Sequence, residues 1–338
     1  MLISSSDPLL PTSRAGAVLW TVAGLASLAA VTTAPVLTFL ILIVGFGLMH
    51  VLTELRYVDA RFSGRVQRRW LLLALALVGA IALTRVFLIA QWIPYGVGIG
   101  LEVALGIALA ILGAWAAPGY RLAVGVGVLI FTAIAIASPL HALLTIAVLH
   151  NLTPLGFLAE RLRAPERGPV LMILSIPFVA IPLLIASGLP LSVAHSLFGF
   201  DPGWAPFAAG PAEKHMGAFL PPEVIAGPYA MQAFAGAVFA QIMHYVAVII
   251  VLPRLMDEKA ATLMPWPKGQ WYWIAASGAC AALAAFYLAN YDHARSLYGL
   301  FAAIHSWLEV PLLIAALALS QQVQPHDEGH AIAQQGTG

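Results

Sequence analysis

Ten uninterrupted apolar segments, set apart by short clusters of Pro, Gly and charge, constrain this chain more than any motif in it. They run roughly over 16–33, 35–55, 70–90, 96–116, 122–139, 140–158, 169–187, 230–252, 272–290 and 297–319. Each is close to the ~20 residues a helix needs to cross a bilayer. None alternates with period two, which excludes a transmembrane barrel. The joins at 33–35 and 139–140 are tight enough to read as helical hairpins. Asp, Glu, Lys and Arg make up only 9% of the 338 residues, against about 25% in a soluble domain. So few charges cannot cover a globular surface, which excludes a soluble enzyme, a disordered chain and a nucleic-acid binder. The expected fold is an all-α polytopic transmembrane bundle of about ten spans. It forms one domain over 1–319, with the lipid bilayer as its first partner.

Charge placement orients the bundle. The basic loops are 55–69 (Arg56, Arg61, Arg65, Arg68, Arg69), 158–168 (Arg161, Arg163, Arg167) and 253–271 (Arg254, Lys259, Lys268). With ten spans and the N-terminus inside, all three loops are cytoplasmic, as are Arg14 and Arg121. Only Arg85, Lys214 and Arg295 of the 16 Lys and Arg then fall elsewhere. By the positive-inside rule both termini are expected in the cytoplasm, and the protein in a bacterial inner membrane. The 14 residues before the first span read as the lead into a retained helix, not a signal peptide. The long stretch 188–229 becomes an external interfacial loop, rich in Pro, Gly and aromatics, which suits a lid. The polar tail 320–338, with His326 and His330, is expected to be disordered. Trp70, Trp92, Trp271, Tyr272 and Trp273 sit at span ends, where aromatic residues anchor helices at the interface. Cys280 is the only cysteine, so an internal disulfide or a Cys-based zinc site is excluded.

Titratable groups inside spans are expensive and point to function. His50, His150, His244 and His305 fall in the second, sixth, eighth and tenth spans, all running in one direction. His50 precedes Arg56 by six residues, His150 precedes Arg161 by eleven, and His244 precedes Arg254 by ten. At a rise of 1.5 Å per residue, the four share a slab of membrane roughly 10 Å thick. Two of them carry a carboxylate four residues on: His50 with Glu54, and His305 with Glu309. That spacing puts both side chains on one helix face, the arrangement by which one helix gives two ligands. Imidazole with carboxylate suits iron, zinc or manganese. The metal set is therefore His50, Glu54, His150, His244, His305 and Glu309, with Glu54 and Glu309 as ligands or proton carriers. Six groups exceed what one ion with an open position requires, which favours two ions. Asn151 stands beside His150 as a supporting partner. The plainer alternative is that each histidine only hydrogen-bonds between helices, and that Glu54 pairs with Arg56 or Arg61.

Arg85 and Glu102 match in depth on adjacent spans and read as a structural ion pair. His141, His195 and His215 read as surface residues unless the loop folds inward.

Gly47-Leu48-Met49-His50 with Glu54, and His305 with Glu309, resemble a pattern in the retinal-forming β-carotene dioxygenases of bacteria and archaea. Those polytopic proteins carry Gly-x-x-His followed by Asp four or five residues on. This chain has Glu in place of Asp, and it lacks both their His-Gly-Ala-x-Asp string and their paired histidines in one central span. Only His50 and His305 match that motif, within about 20 residues of likeness. The resemblance implies non-haem iron held by transmembrane histidines and oxidation of a lipid-soluble substrate.

Three functions compete. The first is a membrane oxidoreductase or oxygenase with non-haem iron, one or two ions, acting on a carotenoid, quinone or lipid with the help of an electron donor. The second is a b-type haem protein, in which paired histidines ligate haem. The third is a proton-coupled transporter with a His/Glu relay, whose seventh span Pro177 and Pro182 would break.

Overall fold

The computed structural model describes residues 7–199, 202–204, 209–257 and 260–322, with side chains as far as 316. Phe200, Phe207, Lys259 and residues 323–338, with most of the predicted tail and His326 and His330, lie outside the described residues. Every regular element among the described residues is helical. Ten helices among the described residues are long and apolar enough to cross a membrane, so the chain is an all-α bundle of the expected span number. They are α1 (Arg14–Thr33), α2 (Pro35–Phe62), α3 (Arg68–Ile89), α4 (Tyr95–Ala116), α5 (Pro118–Ala137), α6 (Pro139–Arg161), α7 (Ala164–Ala186), α11 (Ala230–Leu255), α12 (Gln270–Ala289) and α13 (Tyr291–Ala316). The segment 188–229, expected as a long interfacial loop, carries the short helices α8 (Leu189–Phe198), α9 (Ala212–Met216) and α10 (Pro222–Ile225).

The punctuation follows local chemistry. Ser13 caps α1 by accepting from the Gly16 amide, and Ser138 caps α6 by accepting from the His141 amide. Pro35, Pro118 and Pro139 open their helices at the first position, where no amide bond is lost. Single residues, Ala34 and Ser138, separate α1 from α2 and α5 from α6, giving the two tight hairpins.

Burial separates centre from rim. In α11, 72% of the apolar window is inside protein, against 6% in α5. Leu122, Leu129 and Ile136 of α5 point outward, as do Val18, Val22 and Leu25 of α1. Such faces suit contact with lipid tails, where an apolar side chain carries no desolvation penalty. Helices α1, α2, α6 and α7 pack around α11, and α13 reaches it through Tyr298 and Tyr245. At the Arg-rich end their order is held by polar contacts: Arg61 makes a bidentate pair with Glu160, and Arg161 donates to the Leu255 carbonyl at 2.8 Å. On the other flank α4 approaches α13 closely, because a Cβ at Gly106 would collide with the Trp307 ring.

Three of the helices that carry the four histidines depart from α geometry near them, and the fourth holds a proline. A π-helical segment, Leu42–Phe46, ends four residues before His50. His150 opens a 3₁₀ turn, His150–Leu152, and another π segment, Ala247–Val251, begins three residues after His244. Pro311 lies two residues after Glu309. Proline accounts for part of this. Pro154 has no amide to offer the His150 carbonyl, which accepts from the Thr153 hydroxyl at 2.8 Å instead. Each irregularity changes the direction of the next side chains, as such bulges often do at functional sites.

Candidate metal centre

The four histidines meet. Each offers a ring nitrogen, and these atoms lie within 4.8 Å of one another. His50 and His244 stand 5.5 Å apart by ring centroids, His150 and His305 4.6 Å, and His150 and His244 4.4 Å. His50, His244 and His305 are almost wholly buried, and the His150 side chain is 12% exposed. Glu54 and Glu309 are buried below them, and oxygens of both carboxylates lie within 4.8 Å of nitrogens on His150 and His305 and of each other. His50 meets His305 while Glu54 meets Glu309, one turn on in both helices. α2 and α13 therefore run in the same direction, and the i, i+4 spacing acts in register on both.

The hydrogen bonds determine where the lone pairs point. His305 Nδ1 stands 3.2 Å from the Phe301 carbonyl, which can only accept, so this nitrogen carries the proton. His150 Nδ1 stands 2.9 Å from Glu309 Oε2 and donates to it when that carboxylate is ionised. In neutral His305, and in neutral His150 beside an ionised Glu309, Nε2 is a bare lone pair. Yet the two Nε2 atoms are 3.0 Å apart, and His305 Nε2 is also 3.2 Å from His50 Nε2. One ring nitrogen cannot make two directed hydrogen bonds in its plane, and facing lone pairs repel. A cation among them removes the conflict. Ligands at ~2.0–2.1 Å from a metal stand about 3.0–3.4 Å from each other at octahedral or tetrahedral angles, the range found here.

Unpartnered atoms point the same way. Both ring nitrogens of His244, Nδ1 of His50, both oxygens of Glu54 and Oε1 of Glu309 are buried without a hydrogen bond. His244 Nε2 approaches Glu54 Oε2 at 3.2 Å, but the geometry is not that of a directed bond. Buried polar atoms are normally satisfied, so a concentration of exceptions in one place calls for a ligand. The carboxylate that holds His150 by its far nitrogen matches the way outer carboxylates orient metal-bound imidazoles.

Other predicted partners fall differently. Asn151 bonds back to the Ala147 and Val148 carbonyls of its own helix and does not support the centre. Glu54 pairs with neither Arg56, which stacks over Tyr272, nor Arg61, which is taken by Glu160. Arg85 and Glu102 form a bidentate pair at 2.9 and 2.7 Å, with Trp307 Nε1 donating to the same carboxylate at 2.9 Å. His215 is not a surface residue. It is fully buried under α9 and bonded to the Tyr291 hydroxyl at 3.1 Å. Burial, and then the nearby Arg295, lower its pKa to about 4. His141 does lie near the surface, beside Glu223 at 2.5 Å. Trp70 and Tyr272 are not interfacial anchors. Trp70 is buried and donates to the Leu112 carbonyl, and Tyr272 is buried and bonded to Thr53.

A cavity of about 300 Å³ opens beside the histidines. His50, His150 and His305 form one wall, and Arg85 and Glu102 line it further along, with Ala218 and Phe219 from the segment after α9. Tyr245 stacks on His50 at 4.0 Å. The sequence reading missed Gln241, Tyr245 and Tyr298 on this cavity. Their signal was present: Gln241 lies one turn before His244, and Tyr298 lies two turns before His305 on the same helix face. The chain matches no protein family, no curated protein and no solved structure with which it was compared.

Proposed function

We propose that the protein is an integral-membrane, metal-dependent oxidoreductase that binds non-haem iron among His50, His150, His244 and His305. It acts on a hydrophobic substrate dissolved in the bilayer, such as a carotenoid, quinone or lipid, in a bacterial inner membrane. The observation that carries this reading is that His305 Nε2, a bare lone pair by its Nδ1 partner, stands 3.0 Å from His150 Nε2 and 3.2 Å from His50 Nε2. Iron, when bound, supplies the one-electron chemistry by which O₂ is engaged.

The protein's own groups do the rest. Glu309 holds the His150 ring by Nδ1 and so keeps Nε2 aimed at its neighbours. The Phe301 carbonyl does the same for His305. Glu54 and Glu309 stand side by side in a dry site, where like charges disfavour joint ionisation. A proton or a second cation shared between them relieves that. With one ion in the histidine set, the carboxylates are the groups able to hold and pass a proton. With two ions, the carboxylates of Glu54 and Glu309 would be the groups to hold the second. The apolar walls of the adjoining cavity exclude water from the reacting end of a substrate.

Haem fits this geometry less well. Bis-imidazole ligation would set two nitrogens about 4 Å apart across an iron with ligand distances of ~2.0 Å, with a macrocycle lying between the helices. Metal analysis and a visible spectrum of the purified protein test the reading. Iron without a Soret band is the expected result. A Soret band would instead establish haem, and protein free of both would leave a proton-coupled transporter.

A further inference from the structure

Gln241, Tyr245 and Tyr298 form a hydrogen-bonded chain along the cavity beside His50. Gln241 Nε2 donates to the Tyr245 hydroxyl at 3.2 Å, and that hydroxyl is 3.1 Å from the Tyr298 hydroxyl. Tyr245 accepts from Gln241 and passes its own proton to Tyr298. Tyr298, only half-buried, then has an O–H left to give. At the other end Gln241 Oε1 is buried without any partner, on a residue 8% exposed. Both ends line the same cavity as His50, His150 and His305. Turning the Gln241 amide over reverses the chain but leaves the same complement: one end donates and the other accepts.

A free donor at one end of the chain and a free acceptor at the other, on one cavity, can each bond a hydroxyl or carbonyl group of the same occupant. The rest of the wall says what bears that group. Phe39, Ile43, Leu143 and Phe219 are apolar and can pack a ring or chain. The Arg85 charge is consumed by Glu102, and one N–H of Arg295 is taken by the Lys214 carbonyl. At about 300 Å³ the space is at the small end for a ligand site, enough for a head while a tail stays outside. Gly47 keeps Tyr298 in position, since a Cβ there would stand 2.8 Å from its ring.

We infer that the cavity recognises the neutral, oxygen-bearing head of a lipid-dissolved substrate of the quinol type, with Gln241 and Tyr298 bonding its hydroxyl. A pure hydrocarbon would leave both groups idle, at the cost that buried unpaired polar atoms carry. The assignment rests on the oxidoreductase reading for its place next to the metal, but its test is separate. The full-length protein in lipid nanodiscs is titrated anaerobically with decylhydroquinone, its dimethyl ether and decylbenzene. Tryptophan fluorescence is the readout, with Trp307 on the cavity wall, and bound iron is measured in every sample.

Decylhydroquinone is expected to bind at least about tenfold more tightly than either analogue, the size of one buried hydrogen bond lost. Gln241→Leu and Tyr298→Phe should each weaken it by about the same factor, leave decylbenzene unchanged and retain iron. Tyr298→Phe removes a single oxygen and keeps the ring, so it guards against a folding artefact. Equal binding of decylbenzene, or hydroquinone binding unchanged in both variants, would overturn the inference. Selective binding by a protein that holds no iron would support the headgroup site and overturn the oxidoreductase reading.

Discussion

Two of the polar centres inside this bundle are finished to different degrees. In the Arg85–Glu102 centre every contact closes. The carboxylate takes two bonds from Arg85 and one from Trp307, and the remaining Arg85 nitrogen reaches the Gly299 carbonyl at 3.1 Å. In the centre of four histidines and two glutamates, six buried nitrogen and oxygen atoms have no partner, and three Nε2 atoms face each other. A structural ion pair satisfies itself from within the protein. The histidine centre leaves its own nitrogen and oxygen atoms in an arrangement that could hold a metal ion. Charge and burial alone would not have told the two apart, since Glu102 and Glu309 are each 1% exposed.

The sharpest way to break this comparison is to substitute one member of each centre. His150→Ala or His305→Ala should lower bound metal by more than the ~100-fold attributed to loss of an outer partner, while the protein still inserts. Glu102→Gln should leave metal content unchanged and destabilise the fold, by less than the roughly 3–5 kcal/mol that breaking a fully buried pair costs, because the stranded Arg85 is partly exposed. Reversing both charges together, Arg85→Glu with Glu102→Arg, should recover part of that loss in a thermal melt. Metal loss in Glu102→Gln would merge the two centres into one.

A subtler substitution sharpens the comparison within the histidine centre. Glu309→Met keeps the volume but removes the acceptor for His150 Nδ1. It should weaken metal binding about 10–100-fold, as other outer carboxylates do, without the full loss that the histidine variants suffer. An effect as large as theirs would make Glu309 a ligand in its own right.

The fold was legible because apolar length and the segregation of Lys and Arg are one-dimensional properties. Much of the centre was legible too. The depth of His50, His150, His244 and His305, and the two four-residue steps to Glu54 and Glu309, are distances along straight helices. What escaped was anything that depends on direction around a helix. The π segments before His50 and after His244, and the 3₁₀ turn at His150, shift the side chains that follow. Asn151 follows His150 directly in sequence, yet it turns back onto its own helix. Gln241 and Tyr298 needed the cavity to become visible as a pair. His215 looked exposed because it lies between spans; only the folding of α9 onto Phe39 and Tyr291 buries it.

That burial supplies the smallest expected effect. The His215 pKa falls from its ordinary 6.5 to about 4 through burial and then Arg295, with Lys214, Asp292 and Tyr291 also facing the ring. Between those values the unfolded chain binds more protons than the folded one, so stability rises with pH across this window. The contribution is fully present above pH 6.5 and is lost as pH falls towards 4. His215→Phe should flatten this part of the melting-temperature profile, and a profile as steep as wild type would remove His215 as its source.

The central claim is that the four imidazoles share one cation. X-ray absorption at the metal edge of the full-length protein, with metal content measured in parallel, tests it most directly. The account predicts a first shell dominated by histidine nitrogen at ~2.0–2.1 Å, which diminishes in His305→Ala. Protein that carries no metal above background, or whose metal shell is untouched by His305→Ala, would contradict it.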